Sequence, residues 1–312
     1  MTRPPEQTLR FSPGYVRRAK AVITHARSLR WLAHPDATKA DGLRILFYHR
    51  VSDENDPLTV RVRRFRSQMY SLAERGFRAL NLVAARRHLE ADPESGSPGH
   101  ERVIGLTFDD GYRDVAENAL PVLEELGFSA TVFVVTGAVD GWVRLSWYDR
   151  QPRLLDWPEI ERLDADSPLY FEAHSRTHPK LLALSHGAVR AELAGSKAIL
   201  ESHLSRRVRA FCYPGGLFGD RERRLAADAG FEVAVGANPG TNRAGSDPLA
   251  LRLIGVDPSD HLFDFLPKVR GGHDTELPLR APYRRLRYGA ARSPAARGDS
   301  GPTPDLIGRF HS

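Results

Sequence analysis

VIGLTFDDGY, residues 103–112, is the stretch of sequence from which the fold is most readily predicted. Its first half is an apolar run of strand length, and two carboxylates and a glycine follow it closely. A short apolar run of this kind is typical of a strand buried on both faces of a parallel sheet. Parallel α/β folds gather functional residues at the carboxyl ends of their strands, so Asp109 and Asp110 stand where a site is expected.

The alternation of strand and helix continues on both sides of this stretch. Apolar runs predict strands at 43–49, 77–80, 103–107, 129–135, 169–173, 210–213, 231–235 and 251–256. Amphipathic spacing predicts helices at 60–75, 83–89, 114–126, 157–163, 186–204, 221–229 and 262–269. Strands and helices that alternate in this way predict an α/β fold on a parallel sheet, either open or closed into a barrel.

The two ends of the chain differ from this central part. Residues 1–14 are polar and proline-rich, and 15–32 have helical spacing with five Lys and Arg residues and no acidic residue. That helix either lies on an anionic membrane surface or packs on the edge of the domain. Residues 278–312 are rich in Arg, Pro, Gly and Ala and predict a disordered basic tail. We therefore predict an N-terminal basic segment at 1–38, a single catalytic domain at 39–277 and the tail.

Composition narrows the classes of function. The chain has 312 residues, a formal net charge of +6 and one cysteine, Cys212, which excludes an internal disulfide and a thiolate metal cluster. The arginines occur without a recognised nucleic-acid-binding module, so nucleic acid is not expected as a partner. Neither a membrane-spanning run nor a secretory signal is recognised, which predicts a cytoplasmic location or one at the cytoplasmic face of the membrane.

Two further motifs follow predicted strands. HSRTHP, residues 174–179, carries two histidines four residues apart, and we expect a helical turn to direct both toward one divalent ion. With a carboxylate from 109–110 they supply two nitrogens and one oxygen and leave positions for water and substrate. FCYPGG, residues 211–216, ends in glycines whose N–H groups suit an oxyanion. Taken singly, the three motifs are better explained by helix capping, chance spacing and a plain turn.

Together TFDDGY, HSRTHP and YPGG resemble the first three motifs of the polysaccharide deacetylases with a NodB-type domain, carbohydrate esterase family 4. The resemblance covers about 43–269 and implies an irregular (β/α) barrel that hydrolyses N-acetyl groups of glycans, or acetyl esters in some members. It implies Asp109 as general base and a divalent metal held by Asp110, His174 and His178. Zinc is expected, with cobalt, nickel or manganese as alternatives. The remaining implied residues are Gly215, Tyr213 and Pro214, for the oxyanion and the substrate.

Some positions differ from the commonest family pattern. Cys212 and Gly215 stand where the third motif often has Arg and Tyr, and no Leu-x-His occurs near the last strands. In the branch that deacetylates poly-N-acetylglucosamine, a Tyr-His on an early strand supplies the general acid, and FYHRV offers His49 for this role. The alternative is that His49 is a buried structural histidine. Trp142, Trp147 and Tyr148 are candidates either for stacking on sugars or for packing in the core.

The sequence thus predicts an enzyme that removes N-acetyl groups from N-acetylglucosamine-type sugars of a polysaccharide or of its precursor. Two alternatives stay open. One is a metal-dependent hydrolase of another amide or of an acetyl ester, because the metal chemistry does not select the sugar. The other is a non-catalytic glycan-binding protein on a deacetylase scaffold.

Overall fold

The computed structural model describes residues 14–33, 42–91, 101–145, 147, 148, 150–236 and 238–272. The predicted tail at 278–312 and nearly all of the predicted unstructured start lie outside these residues. The strands are β1 Arg44–Tyr48, β2 Arg50–Val51, β3 Thr59–Val60, β4 Phe77–Leu80, β5 Arg102–Phe108, β6 Ala130–Val134, β7 Leu169–Ala173, β8 Ala210–Cys212, β9 Val233–Gly236, β10 Leu251–Arg252 and β11 Ile254–Gly255. The helices are α1 Gly14–Ala33, α2 Val62–Ala73, α3 Leu82–Ala91, α4 Leu120–Leu126, α5 Thr136–Val139, α6 Trp157–Asp166, α7 His186–Leu204, α8 Asp220–Asp228 and α9 Leu262–Val269.

The sheet closes on itself. Among the described residues nine strands form one parallel sheet in the order β10-β9-β8-β7-β6-β5-β1-β11, with β4 also paired to β5. Only Leu253 separates β10 from β11 in sequence, and its N–H donates to the carbonyl of Gly236 on β9. One extended segment therefore pairs with β9 through its start and with β1 through its end. The result is the irregular (β/α) barrel that the sequence predicts.

Most predicted elements occur where the sequence places them. The ranges 77–80, 169–173, 186–204 and 262–269 match their elements at both ends. The predicted helix 114–126 begins as a π-helical turn, Val115–Ala119, before α4. The short pair β2–β3 and the four-residue α5 were not predicted, because two to four residues carry no usable periodicity.

Alternate residues along a strand face opposite sides, which gives the barrel two apolar layers. Leu46 and Tyr48 of β1 pack in the layer that includes residues of the surrounding helices. Ile45 of β1 belongs to a second cluster with Phe133 of β6 and Cys212 of β8, which fills the inside of the barrel. Because Asp109 continues the inward series of β5, its carboxylate is directed toward the barrel mouth.

Helix α1 packs on α9 through polar groups. Ser28 Oγ donates to Oδ1 of the buried Asp264 at 2.9 Å, and His25 Nδ1 lies 3.2 Å from Asp264 Oδ2. Val22 and Leu29, which neighbour His25 on the helix surface, are 69% and 60% exposed. The helix is therefore held to the domain edge, as one of the two alternatives predicts, while these two apolar side chains face solvent.

Candidate active site

The two carboxylates occupy a tight turn at the end of β5. The N–H of Asp109 still follows the sheet, donating to the carbonyl of Tyr48 on β1 at 2.9 Å. Asp110 and Gly111 then take left-handed conformations, with φ of 76° and 75°. A left-handed residue other than glycine is strained by about 1 kcal/mol or more, a feature that clusters at functional sites. The turn places two neighbouring carboxylates at the mouth, both almost fully buried.

The two histidines lie on a loop after β7, and the predicted helical turn is wrong. Ser175 and His178 are left-handed, with φ of 65° and 55°, so the segment is a compact loop. Two contacts hold it. Ser175 Oγ accepts from the N–H of His178 at 3.0 Å, and the carboxylate of Glu192 accepts from the N–H groups of Arg176 and Thr177 at 2.9 Å. The i, i+4 spacing is thus brought to one side by loop geometry.

The loop brings both imidazoles to Asp110. Asp110 Oδ1 lies 3.6 Å from His174 Nε2 and 3.9 Å from His178 Nε2. His174 Nδ1 is 2.8 Å from the carbonyl oxygen of Cys212, and because a carbonyl only accepts, Nδ1 carries the proton. His174 Nε2 therefore presents a lone pair toward Asp110, the orientation that a metal ligand takes when its other nitrogen is held by a carbonyl.

This group fits a divalent ion. One ligand atom from each of Asp110, His174 and His178 lies within 4.8 Å of the others. Within the described residues, both carboxylate oxygens of Asp110 and Oδ1 of Asp109 are buried without a hydrogen-bond partner. Unsatisfied buried carboxylate oxygens are costly, and a cation is the partner that would satisfy them.

The shifted pKa values of the two aspartates and the two histidines also indicate a cation site. Burial raises the pKa of Asp109 to about 7, and burial with the adjacent Asp109 raises the pKa of Asp110 well above its ordinary value. Burial lowers the pKa of His174 to about 4 and, with His174 and His49, lowers that of His178 far below its ordinary value. Both imidazoles are therefore neutral near pH 7, as metal ligands must be.

Cys212 contacts the proposed base from the inside of the barrel. Its Sγ lies 3.9 Å from Asp109 Oδ2 and is directed as a donor to it. Burial and Asp109 raise the pKa of the thiol well above its ordinary value, so it keeps its proton. The thiol is thus a weak donor to Asp109, at the position where the family often has an arginine.

His49 leaves β1 beside the point where Asp109 leaves β5. Tyr48 and Phe108 are register partners on these neighbouring strands, so the next residues on each emerge together. The side chain of His49 is half-buried, its ring centroid lies 5.7 Å from that of Phe47, and its charge contributes to the lowered pKa of His178. The structure therefore places His49 at the same mouth as the other predicted residues.

The third motif divides into a buried and an exposed part. The Tyr213 ring is buried against Phe218, and its hydroxyl donates to the carbonyl of Leu249 at 3.0 Å, so the side chain is directed into the core. Pro214 is also buried, whereas Gly215 is exposed with φ of 63°. Of the three, Gly215 is therefore the residue whose backbone lies open to solvent.

The aromatic residues after β6 separate into two environments. The ring centroid of Trp147 lies 4.7 Å from that of His178, and its indole N–H donates to Tyr112 Oη at 3.2 Å. Tyr148 Oη donates to Asp56 at 3.0 Å. Trp147 therefore lies beside His178 and Tyr148 beside Asp56, while Trp142 is 53% exposed.

The family model for polysaccharide deacetylases matches residues 96–234, which include β5 with its two carboxylates, the histidine loop and Gly215. This chain therefore carries a polysaccharide deacetylase domain. The deacetylase domain is 26% identical over 220 residues to YxkH of Bacillus subtilis, a polysaccharide deacetylase by name, in an alignment covering 70% of this chain and 73% of that protein.

Solved structures share the fold of the deacetylase domain. The deacetylase PplD of Streptococcus pyogenes is 25% identical with a TM-score of 0.63, covering 73% of this chain and 98% of its own. IcaB of Ammonifex degensii is 24% identical with a TM-score of 0.61, covering 74% and 97%. The barrel is therefore the fold that these deacetylases share, and with its deacetylase domain the chain is a hydrolase.

Several residues that support the candidate site were not predicted from the sequence. Arg50 is buried and donates from Nε to Asp114 Oδ2 at 2.7 Å, which ties the segment after His49 to the turn after Asp110. Glu192 holds the histidine loop from α7. Arg50 and Glu192 are common charged residues at ordinary positions of a strand and a helix. No local pattern distinguishes them from surface charges.

Proposed function

We propose that this protein is a metal-dependent hydrolase that removes N-acetyl groups from N-acetylglucosamine-type sugars of a polysaccharide or of its precursor. The observation that supports it most is the convergence of Asp110, His174 and His178 beside Asp109 at the barrel mouth. The structure of the relative PplD holds acetate, which is the acid that hydrolysis of an acetamide releases.

The residues divide the chemistry among them. A divalent ion held by Asp110, His174 and His178 would supply Lewis-acid chemistry, polarising the acetyl carbonyl and making water more acidic. Asp109 takes a proton from the attacking water, whose oxygen adds to the acetyl carbon. The N–H of Gly215 donates to the carbonyl oxygen as it becomes negative. The C–N bond then breaks, His49 gives its proton to the leaving amine, and acetate and a free amino sugar result.

Zinc is the metal that we propose for this site. Two imidazole nitrogens and one carboxylate oxygen suit zinc with open coordination positions, and the same ligands accept cobalt, nickel or manganese. Metal analysis of the purified protein, followed by acetate release from N-acetylglucosamine oligomers and polymers, tests both statements. Acetate release that stops with chelator and returns with zinc is expected. If the protein binds glycan, binds no metal and releases no acetate, it is the non-catalytic glycan-binding protein of the alternative hypothesis.

The substrate class needs its own comparison. The same panel should include acetylated amines without a sugar and O-acetylated sugars, because the site chemistry also suits other amides and acetyl esters. Faster release from N-acetylated oligosaccharides than from either group is expected. A preference for the esters or for the simple amides would replace the sugar assignment while leaving the metal assignment intact.

We also propose that catalysis belongs to 39–277 and that α1, within 1–38, contacts an anionic membrane. Among the described helices none is both long and apolar enough to cross a bilayer. The outward side of α1 exposes Val22, Leu29 and Leu32, and the helix sequence has Lys and Arg but no Asp or Glu. Each basic residue near an anionic surface contributes about 1 kcal/mol.

Vesicle sedimentation tests the membrane contact with the full chain. Binding to phosphatidylserine-containing vesicles should weaken with salt, should be absent with neutral vesicles and should fall in Val22→Glu/Leu29→Glu. The matched control is Tyr170→Glu, an exposed apolar-to-acidic change on the barrel. Equal binding by all three proteins would remove the membrane from the proposal.

A further inference from the structure

The exposed indole of Trp142 stands on the same rim as the histidine loop. Trp142 follows α5, and α5 is tied to that loop by two backbone bonds. The N–H of Thr136 donates to the carbonyl of Ser175 at 3.3 Å, and the N–H of Gly137 to that of Arg176 at 2.9 Å. A ring fixed to α5 is thereby fixed relative to the proposed metal ligands.

The indole is held on its edge and on one face. Its N–H donates to Asp140 Oδ2 at 3.0 Å, and the other oxygen of Asp140 accepts from Trp157 at 2.7 Å. The guanidinium of Arg176 lies over the ring, 5.5 Å from its centroid. Despite these contacts the side chain is 53% exposed.

Two glycines make room for this arrangement. A Cβ at Gly137 would lie 2.6 Å from Cζ2 of Trp142 and 2.7 Å from the carbonyl oxygen of Arg176, although the backbone φ there is not one that requires glycine. Gly195, in the middle of α7, leaves space for the side chain of Arg176. Glycine inside a helix costs roughly 0.5–1 kcal/mol relative to alanine. Glycine thus lowers the stability of α5 and α7 at the positions where the indole and the guanidinium pack.

We propose that Trp142 is a binding platform for a second pyranose ring of the glycan, next to the sugar that is deacetylated. This inference rests on the proposed function and extends it to substrates longer than one sugar. The C–H groups of a pyranose form an apolar face that suits a flat aromatic ring, and rigid, exposed aromatics dominate many binding sites. With Arg176 over one face of the ring, the sugar binds at the exposed part of the indole.

Trp147 and Trp157 lack this combination. Trp157 stacks on His203 at 3.9 Å, so one face of that ring is covered by another side chain, and it is half-buried. Trp147 packs with its ring against His178. Of these three indoles, Trp142 is therefore the one that is both held in place and exposed, as a sugar-binding platform must be.

Binding calorimetry in the Asp109→Asn background, loaded with zinc, tests the proposal without turnover. The ligands are N-acetylglucosamine, its pentamer and a pentamer of unmodified glucose. Trp142→Ala should raise the Kd for each of the two pentamers roughly tenfold. The Kd for the N-acetylglucosamine monomer should rise less than twofold.

Tyr170→Ala is the matched control, since Tyr170 is an exposed aromatic at the start of β7, about 13 Å from the mouth by the strand rise. It should leave every Kd unchanged. Pentamer binding that is equal with and without Trp142, or that falls equally in the control, or that is absent from the parent protein, overturns the platform. If the wild-type chain releases no acetate but binds pentamers through Trp142, the platform stands and the proposed function fails.

Discussion

The barrel mouth has two sides that are built differently. On one side Asp110 and His174 are almost completely buried and held by backbone geometry, including two left-handed residues and the carbonyl of Cys212. On the other side His49 is half-buried and Gly215 is exposed. A metal site needs fixed ligands, and Asp109, which acts on the attacking water, is buried beside them. The groups that meet the acetyl oxygen and the leaving amine must instead be reachable by the substrate. The difference in burial therefore matches a division between holding the metal and handling the substrate.

The largest effect is expected from the buried side. Asp110→Ala leaves only His174 and His178 and removes the sole charged ligand of the group. Metal affinity should fall by more than the roughly 10²-fold that loss of a supporting residue can cost. Acetate release should then be undetectable at ordinary metal concentrations. Metal titration of the purified variant measures this, with His186→Ala on the exposed start of α7 as control. Normal zinc content in Asp110→Ala would contradict the ligand assignment.

Asp109→Asn should separate the adjacent carboxylate from the ligand set. Asparagine keeps the shape of the side chain but cannot accept the proton, so the rate should fall by roughly 10² to 10⁴. Zinc binding should stay within about tenfold of wild type, the lower end of what loss of a group near the ligands costs. Parallel loss of zinc and rate would make Asp109 a ligand.

His49 tests the substrate side. His49→Ala should bind zinc normally and lose roughly 10² to 10⁴ in rate on amide substrates, because the leaving amine needs a proton. An acetyl ester with a good leaving group needs less protonation and should lose much less. Initial rates on both substrate types provide the measurement. Equal losses on both, or none, would assign His49 a structural role.

The sequence predicted one side of this mouth better than the other. Strand ends are marked by apolar runs that stop at charged or small residues, so the positions of Asp109, Asp110 and His174 were predictable from local pattern. The helical turn expected for His174 and His178 was wrong, because sequence spacing does not reveal that Ser175 and His178 are left-handed. The residues that the structure brings together were thus predicted from the wrong local geometry.

Contacts between distant segments were beyond local pattern. Cys212 meets Asp109 across 103 residues of sequence, and Arg50 meets Asp114 across 64. The outward apolar side of α1 was also not evident, because the buried Asp264 on α9 decides which side of the helix faces the domain. Such choices depend on the complete fold and not on the periodicity of one element.

Cys212 contacts both a proposed ligand, His174, and the proposed base, Asp109, and gives the smallest expected effect. Its backbone carbonyl holds His174, whereas its thiol is a weak donor to Asp109 at 3.9 Å. Cys212→Ala keeps the carbonyl and removes the thiol, so zinc affinity should stay unchanged while the rate falls less than tenfold. Removing one buried heavy atom should lower the free energy of unfolding by about 1 kcal/mol. Cys212→Ser restores a hydroxyl donor and should recover part of the rate, measured beside zinc affinity and urea unfolding. If zinc affinity fell together with the rate in Cys212→Ala, the side chain would be supporting the ligand, and the separation of ligand and base at this residue would be wrong.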